Sequence, residues 1–119
     1  MDLHNLQTGK KGEDIATRYL LQNGFTLQAR NWRHRHYEVD ILASKNKLLH
    51  IIEVKTRTSL QFGYPEEGID RHKMQYLKNA AAVYQYLHPQ WKYIQFDAIA
   101  ITLENDLVKE VFFIEDIYF

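Results

Sequence analysis

The stretch EVDILASKNKLLHIIEVKTR, from Glu38 to Arg57, decides how the chain folds. Tyr37, Val39 and Ile41 alternate with Glu38, Asp40 and Leu42, the period of a half-buried strand. Ser44, Lys45, Asn46 and Lys47 make a polar turn of hairpin type. Leu48 to Val54 is an apolar run too rich in Ile and Leu for an exposed edge. Glu53 and Lys55 stand at its end. Two apart on a strand, they leave the same face, with α-carbons roughly 6.6 Å apart. Two charges at the end of a core strand are costly unless they are paired or hold a metal. Asp40, on the preceding strand, can turn its carboxylate toward them.

An Asp, a gap and then Glu-x-Lys suits a hard divalent cation. Mg²⁺ takes oxygen ligands in near-octahedral geometry and commonly only one or two protein carboxylates. Asp40 and Glu53 can supply those, with the Val54 carbonyl and water at other positions. A lysine beside the ion, Lys55, can orient an attacking water or neutralise charge on a phosphate. The plainer reading is an ion pair at a strand end. The apolar strand around Glu53 and the upstream acid weigh against it.

These residues resemble the Asp…Glu-x-Lys core of the restriction-endonuclease-like nuclease superfamily. Gly12-Glu13 opening a helix, Ala16, Tyr19-Leu20, Gly24, Asn31 with Arg33, Glu38-Val39-Asp40, Glu53-Val54-Lys55-Thr56-Arg57 and Phe96-Asp97 narrow the likeness. In that order they resemble the YraN-like family of uncharacterised bacterial proteins, itself similar to archaeal Holliday-junction resolvases. Val39 stands where many nucleases of the superfamily have proline, and Tyr37 where a small residue is expected. The resemblance implies an α/β fold, a central mixed sheet flanked by helices in the order α-β-β-β-α-β-β. It also implies a Mg²⁺- or Mn²⁺-dependent DNA endonuclease whose catalytic residues are Glu13, Asp40, Glu53 and Lys55. Asp40 and Glu53 would be the metal ligands. DNA, including branched DNA, is the implied partner, and a homodimer would supply the paired sites that junction resolution needs.

With 119 residues, 45% of them apolar, the chain suits one packed domain, 1–119, rather than two. No apolar run approaches the roughly 20 residues that span a bilayer. The start, MDLHNLQTGKKGED, has no apolar segment of signal-peptide type. The absence of cysteine excludes disulfides, thiolate zinc sites and a cysteine nucleophile. A cytoplasmic protein is expected. The formal net charge is zero, which argues against strong non-specific nucleic-acid binding. Residues 1–60 carry ten Lys and Arg against six Asp and Glu, while residues 61–119 carry five against nine. The resulting +4 and −4 allow one basic face on a neutral molecule, or chance clustering.

In chain order, Met1–Thr8 reads as a loose tail or a helical start, and Gly9–Asn23 as a helix. Thr8 would be its N-cap, and Gly24 its left-handed C′ residue. Glu13 is either a carboxylate placed near a positive helix end or a third acid facing the site. Phe25–Arg33 reads as a strand with Phe25, Leu27 and Ala29 inward. Residues 31–36, NWRHRH, form a basic and aromatic cluster between strands. Arg33 and Arg35 suit phosphate contact and Trp32 suits stacking; a solvated hairpin loop with a packed Trp32 is the alternative. Thr58–Gly68 reads as a loop that either walls the site or makes an oligomer contact, with Phe62 and Tyr64 partly exposed, or tucks those rings on the core. Asp70 should cap a helix running to about Leu87, buried through Met74, Leu77, Ala81 and Tyr84. Lys73, in its first turn, is a candidate phosphate contact with Arg57. Tyr93–Thr102 reads as a central strand and Leu107–Ile114 as its hairpin partner. Asp97, inside that apolar strand, must find partners or support the site. The C-terminal aromatics should cover the core or a partner.

Two further functional classes compete with the nuclease. One is a catalytically silent nucleic-acid- or protein-binding module on the same fold. The other is a structural subunit of a larger complex, suggested by the neutral charge and aromatic C-terminus.

Overall fold

The computed structural model describes residues 3–58 and 70–117, with side chains from residue 7 onward. Its elements run α1 (Leu3–Gln22), β1 (Thr26–His34), β2 (Tyr37–Lys45), β3 (Leu48–Thr58), α2 (Arg71–Leu87), β4 (Tyr93–Glu104) and β5 (Leu107–Ile114). This is the α-β-β-β-α-β-β order that the resemblance implies. The five strands form one mixed sheet in the order β1-β2-β3-β4-β5. Only β3 and β4 pair in parallel, and α2 lies between them in the chain. A parallel pair needs such a crossover.

Local chemistry explains most of the boundaries. Asp70 accepts a hydrogen bond from the Lys73 backbone N–H at 2.8 Å and so caps α2. Gly24 has φ +86°, and the Phe25 N–H bonds the Leu20 carbonyl at 3.0 Å, closing α1 with a left-handed residue. Asn46 and Lys47 both have positive φ, 53° and 66°, as do Asn105 and Asp106, 52° and 64°. Both pairs are the two-residue turns that match strand twist.

Several expectations need correction, among them the turn: Ser44 and Lys45 belong to β2. Helix α1 begins at Leu3, so Thr8 is inside it and caps nothing. Residues 3–8, LHNLQT, hold no proline, and Gly9 weakens a helix without ending it. The segment 31–34 is the end of β1, leaving only Arg35 and His36 in the turn. Leu27 is exposed on edge strand β1, and the β1–β2 register slips after it, so that Ala29 joins the opposite core from Phe25. The expected loop 58–68 and the aromatics Tyr118 and Phe119 fall, Thr58 apart, outside the described residues.

Each face of the sheet carries one helix. Ala16 and Leu20 of α1 pack on Ile41, Ala43, Ile52, Ile99 and Ile101. Met74, Leu77, Ala81 and Tyr84 of α2 pack on Val39, Leu42, Leu49 and Ile51. Strict alternation would put Val39 and Ile41 on one face, yet they belong to opposite cores. The parity of β2 therefore switches at Asp40. Asn31, which lies opposite in β1, has φ +50°. A left-handed residue of this kind re-aims neighbouring side chains.

Candidate functional site

The hydrogen-bonded ladder between β2 and β3 runs from Lys45–Leu48 to Ile41–Ile52 and ends there. Beyond it, the Asp40 carboxylate accepts the Val54 backbone N–H at 2.8 Å. One side-chain bond thus replaces the next rung and turns Asp40 toward β3. Glu53 is buried, 7% exposed, on the α2 face of β3. The Lys55 Nζ lies 3.7 Å from its Oε1, and the Lys73 Nζ lies 3.2 Å from the same atom. Glu53 and Lys55 do share a face, as their spacing requires.

Burial first, and then the Glu53 carboxylate, push the Asp40 carboxyl up to about 7. The Glu13 charge raises it further, while the Val54 N–H and Lys73 act the other way. Asp40 therefore senses a charge on α1 and another on α2. It stands at the open end of the sheet between the two helices.

Glu13 is partly buried, with an oxygen 3.8 Å from an Arg30 guanidinium nitrogen. Arg30 also holds Asp14 at 2.9 Å. Gly12 sets how closely α1 approaches: a Cβ there would meet the Thr56 Oγ1 of β3 at 1.7 Å. Only glycine fits without a shift, and that contact seats Glu13 over the strand that carries Glu53.

The basic residues divide. Lys73 is half-buried and pairs with Glu53. Arg33 is exposed and pairs with Glu38 at 3.4 Å, and Arg35 is exposed in the β1–β2 turn. The Tyr76 hydroxyl ties that turn to α2. It accepts the Glu38 N–H at 2.6 Å and donates to the His36 carbonyl at 3.0 Å. The Lys73 ammonium lies 5.1 Å from the Tyr76 ring centre, so the basic turn and the acids share one end of the sheet. Arg57, partly buried, continues the alternation of Glu53 and Lys55. Trp32 is a packing residue, edge-on to Tyr84 at 5.2 Å, and not a free stacking platform. His34 lies parallel to Trp32 and His36 against Tyr37.

Among the described residues, no group of three or more His, Asp or Glu side chains is placed to hold a metal. The donor set that the acids offer is the Asp40–Glu53 pair. Two carboxylates with mutual repulsion are the number that Mg²⁺ commonly takes from a protein, so the residues fit such an ion.

The sequence reading missed Arg30, the Lys73–Glu53 contact and the reason for Gly12. A glycine inside a helical pattern was the available signal for the last. It also passed over His50, whose Nδ1 meets the Asp97 Oδ2 at 2.5 Å. Asp97 is wholly buried and also accepts from Gln95 Nε2 at 2.8 Å and the Asp116 N–H at 2.9 Å. Its partners are therefore structural and do not include the acids at Asp40 and Glu53.

Residues 12–101 match the sequence profile of the uncharacterised protein family UPF0102. The chain belongs to the UPF0102 family. It is 40% identical over 115 residues to a UPF0102 protein of Bacteroides thetaiotaomicron, covering 92% of this chain and 94% of that one. A UPF0102 protein of Dictyoglomus thermophilum is 42% identical over 104 residues, covering 87% and 88%. One from Persephonella marina is 39% identical over 98 residues, covering 82% and 84%. The matched UPF0102 segment opens at Gly12 and takes in Glu13, Asp40, Glu53, Lys55 and Lys73. In the described part of the chain no helix is long and apolar enough to cross a membrane.

Proposed function

We propose that the chain hydrolyses DNA phosphodiester bonds with Mg²⁺ or Mn²⁺ held by Asp40 and Glu53, and that branched or structured DNA is its substrate. The observation that carries this reading is the buried Glu53 carboxylate, held by two lysines beside an Asp40 whose charge it disfavours. An acid pair, one member buried and the other half-buried, flanked by ammonium groups is costly as architecture and useful as chemistry.

When bound there, the ion would supply charge stabilisation at the scissile phosphate. The chain's own groups do the rest. The Val54 N–H fixes the Asp40 carboxylate. Glu53 holds the Lys55 ammonium at the end of β3, ready to meet charge developing on a phosphate oxygen. Lys73 balances the acids from α2 and offers a second donor to an incoming phosphate. Glu13 adds negative potential from α1. Arg33, Arg35 and Arg57 hold the DNA backbone, which positions the strand without reading bases. Contacts of this kind are to the phosphate backbone, so the reading is recognition of DNA structure rather than sequence.

The test is cleavage of single-stranded, duplex, flap and four-way-junction DNA with Mg²⁺ or Mn²⁺. Cutting that needs the metal and Glu53 supports the reading; no cutting of any substrate under either ion overturns it. The silent binding module draws on one specific observation, that two lysines already neutralise Glu53. Calorimetric titration with Mn²⁺ separates the two: heat of binding that Glu53→Gln removes belongs to the nuclease.

A further inference from the structure

The face of β3 opposite Glu53 carries a second constellation. His50 lies on the α1 side, edge-on to Phe25 at 4.9 Å, and is almost wholly buried. Asp97 Oδ1 accepts from Gln95 and from the Asp116 N–H, and Oδ2 faces the His50 Nδ1; a carboxylate oxygen accepts there, which makes Nδ1 the donor. That contact fixes the ring's orientation and leaves Nε2 outward. Among the described residues Nε2 meets no hydrogen-bonding group, and no buried side-chain nitrogen or oxygen there lacks a partner. Nε2 therefore opens into the space that His50 lines, a cavity of about 440 Å³ between α1, the β2–β3 turn and the start of β4.

The chemistry of that cavity is selective. Tyr19, Phe25 and Phe113 give it aromatic walls, with Phe25 and Phe113 edge-to-face at 5.9 Å. Asn23, Asn46 and Gln95 bring amides, which donate and accept side by side. Its formal charges are Lys45 and Glu115, which cancel. Lys45 is moreover engaged by the Asn23 carbonyl at 2.9 Å and lies over Phe25. A charged phosphate finds no net attraction here. A flat, neutral ring with N–H donors and ring acceptors finds aromatic surface, amides and a fixed imidazole acceptor.

We infer that this cavity binds a nucleobase, with the His50 Nε2 accepting from an N–H of its edge. The site is independent of the nuclease reading, because it lies at the β2–β3 turn, the opposite end of β3 from Glu53 and Lys55, and shares none of its residues. The base has two sources, a free nucleoside or an unpaired base of a nucleic acid.

The experiment uses the full chain labelled with ¹⁵N and follows the His50 imidazole and the Asn46 and Gln95 amides by NMR. Adenosine, guanosine, cytidine and thymidine are titrated singly, then a single-base-bulge duplex against its fully paired counterpart. The expected result is a saturable shift at His50 with a Kd of about 1 mM or tighter for at least one of these probes. A response to nucleosides assigns the free source, and a response to the bulge but not the paired duplex assigns the nucleic acid. No saturable shift from any probe overturns the inference. His50→Gln should abolish binding but strips Asp97 of a partner, so Leu48→Trp is the second variant. It fills the mouth and leaves the His50–Asp97 pair intact, and binding should fall at least tenfold. Undiminished binding in a folded Leu48→Trp chain would also overturn it.

Discussion

Replacing Asp40 with Asn isolates the electrostatic cost of the acid pair. Asp40 is raised from 3.8 to about 7, chiefly by burial and then by Glu53. A raised acid holds its proton in the fold where the unfolded chain would release it. Its contribution to stability is therefore full below pH 3.8 and lost as pH rises through about 7. The shift spans about three pH units at about 1.4 kcal/mol each, so the wild type forfeits at most about 4 kcal/mol by pH 8. Coupling to Glu53 spreads the titration over a wider range. Asn keeps an oxygen for the Val54 N–H and carries no charge. At pH 8, without metal, Asp40→Asn should be more stable than wild type by about 1–3 kcal/mol. At pH 4 the two should agree within about 0.5 kcal/mol. Urea unfolding at pH 4, 5, 6, 7 and 8 in a chelator measures both. Parallel pH profiles, or a variant less stable at pH 8, would refute the burial of Asp40 beside the Glu53 carboxylate.

Other substitutions probe other parts of the account. Lys55→Ala should keep Mn²⁺ binding in calorimetry while cleavage falls about 10²–10³-fold, the usual loss on removing a charge-stabilising donor. Gly12→Ala should cost about 1–3 kcal/mol in thermal or urea unfolding, because its Cβ meets Thr56 at 1.7 Å. Thr56→Ala in the same chain should recover part of that loss. Asp97→Ala should destabilise by about 3 kcal/mol or more, since His50, Gln95 and the Asp116 N–H lose one buried acceptor. An unfolding midpoint within error of wild type would show that Asp97 is not the tie described.

What could be read from the sequence was what local chemistry decides. Asp70 before a periodic apolar stripe, Gly24 after one, and the polar Ser44–Lys47 run, of which only Asn46 and Lys47 make the turn, each announce their conformation within a few residues. Glu53 and Lys55 could be put on one face because a strand's period is two. The same rule failed at Asp40, where β2 changes parity opposite a left-handed Asn31. Nothing in the alternation of Tyr37, Val39 and Ile41 signals that switch. The Lys73–Glu53 contact was hidden for a different reason. It joins residues 20 apart and exists only because the crossover lays α2 on the Glu53 face. His50 lay inside an apolar run with its partner Asp97 a whole crossover away. Asp97 could be seen to need a partner, but not which one.

The central claim is that Asp40 and Glu53 form the metal-binding heart of a nuclease. Its most direct measurement is cleavage of a four-way junction, a flap and a duplex by wild type and by Glu53→Gln, with Mn²⁺ and with chelator. An amide keeps the size of Glu53 and loses the charge that holds a hard cation. The account predicts that wild type cuts at least one of these DNAs only with Mn²⁺, and that a folded Glu53→Gln cuts none. Equal cleavage by the variant would place the active site elsewhere in the chain.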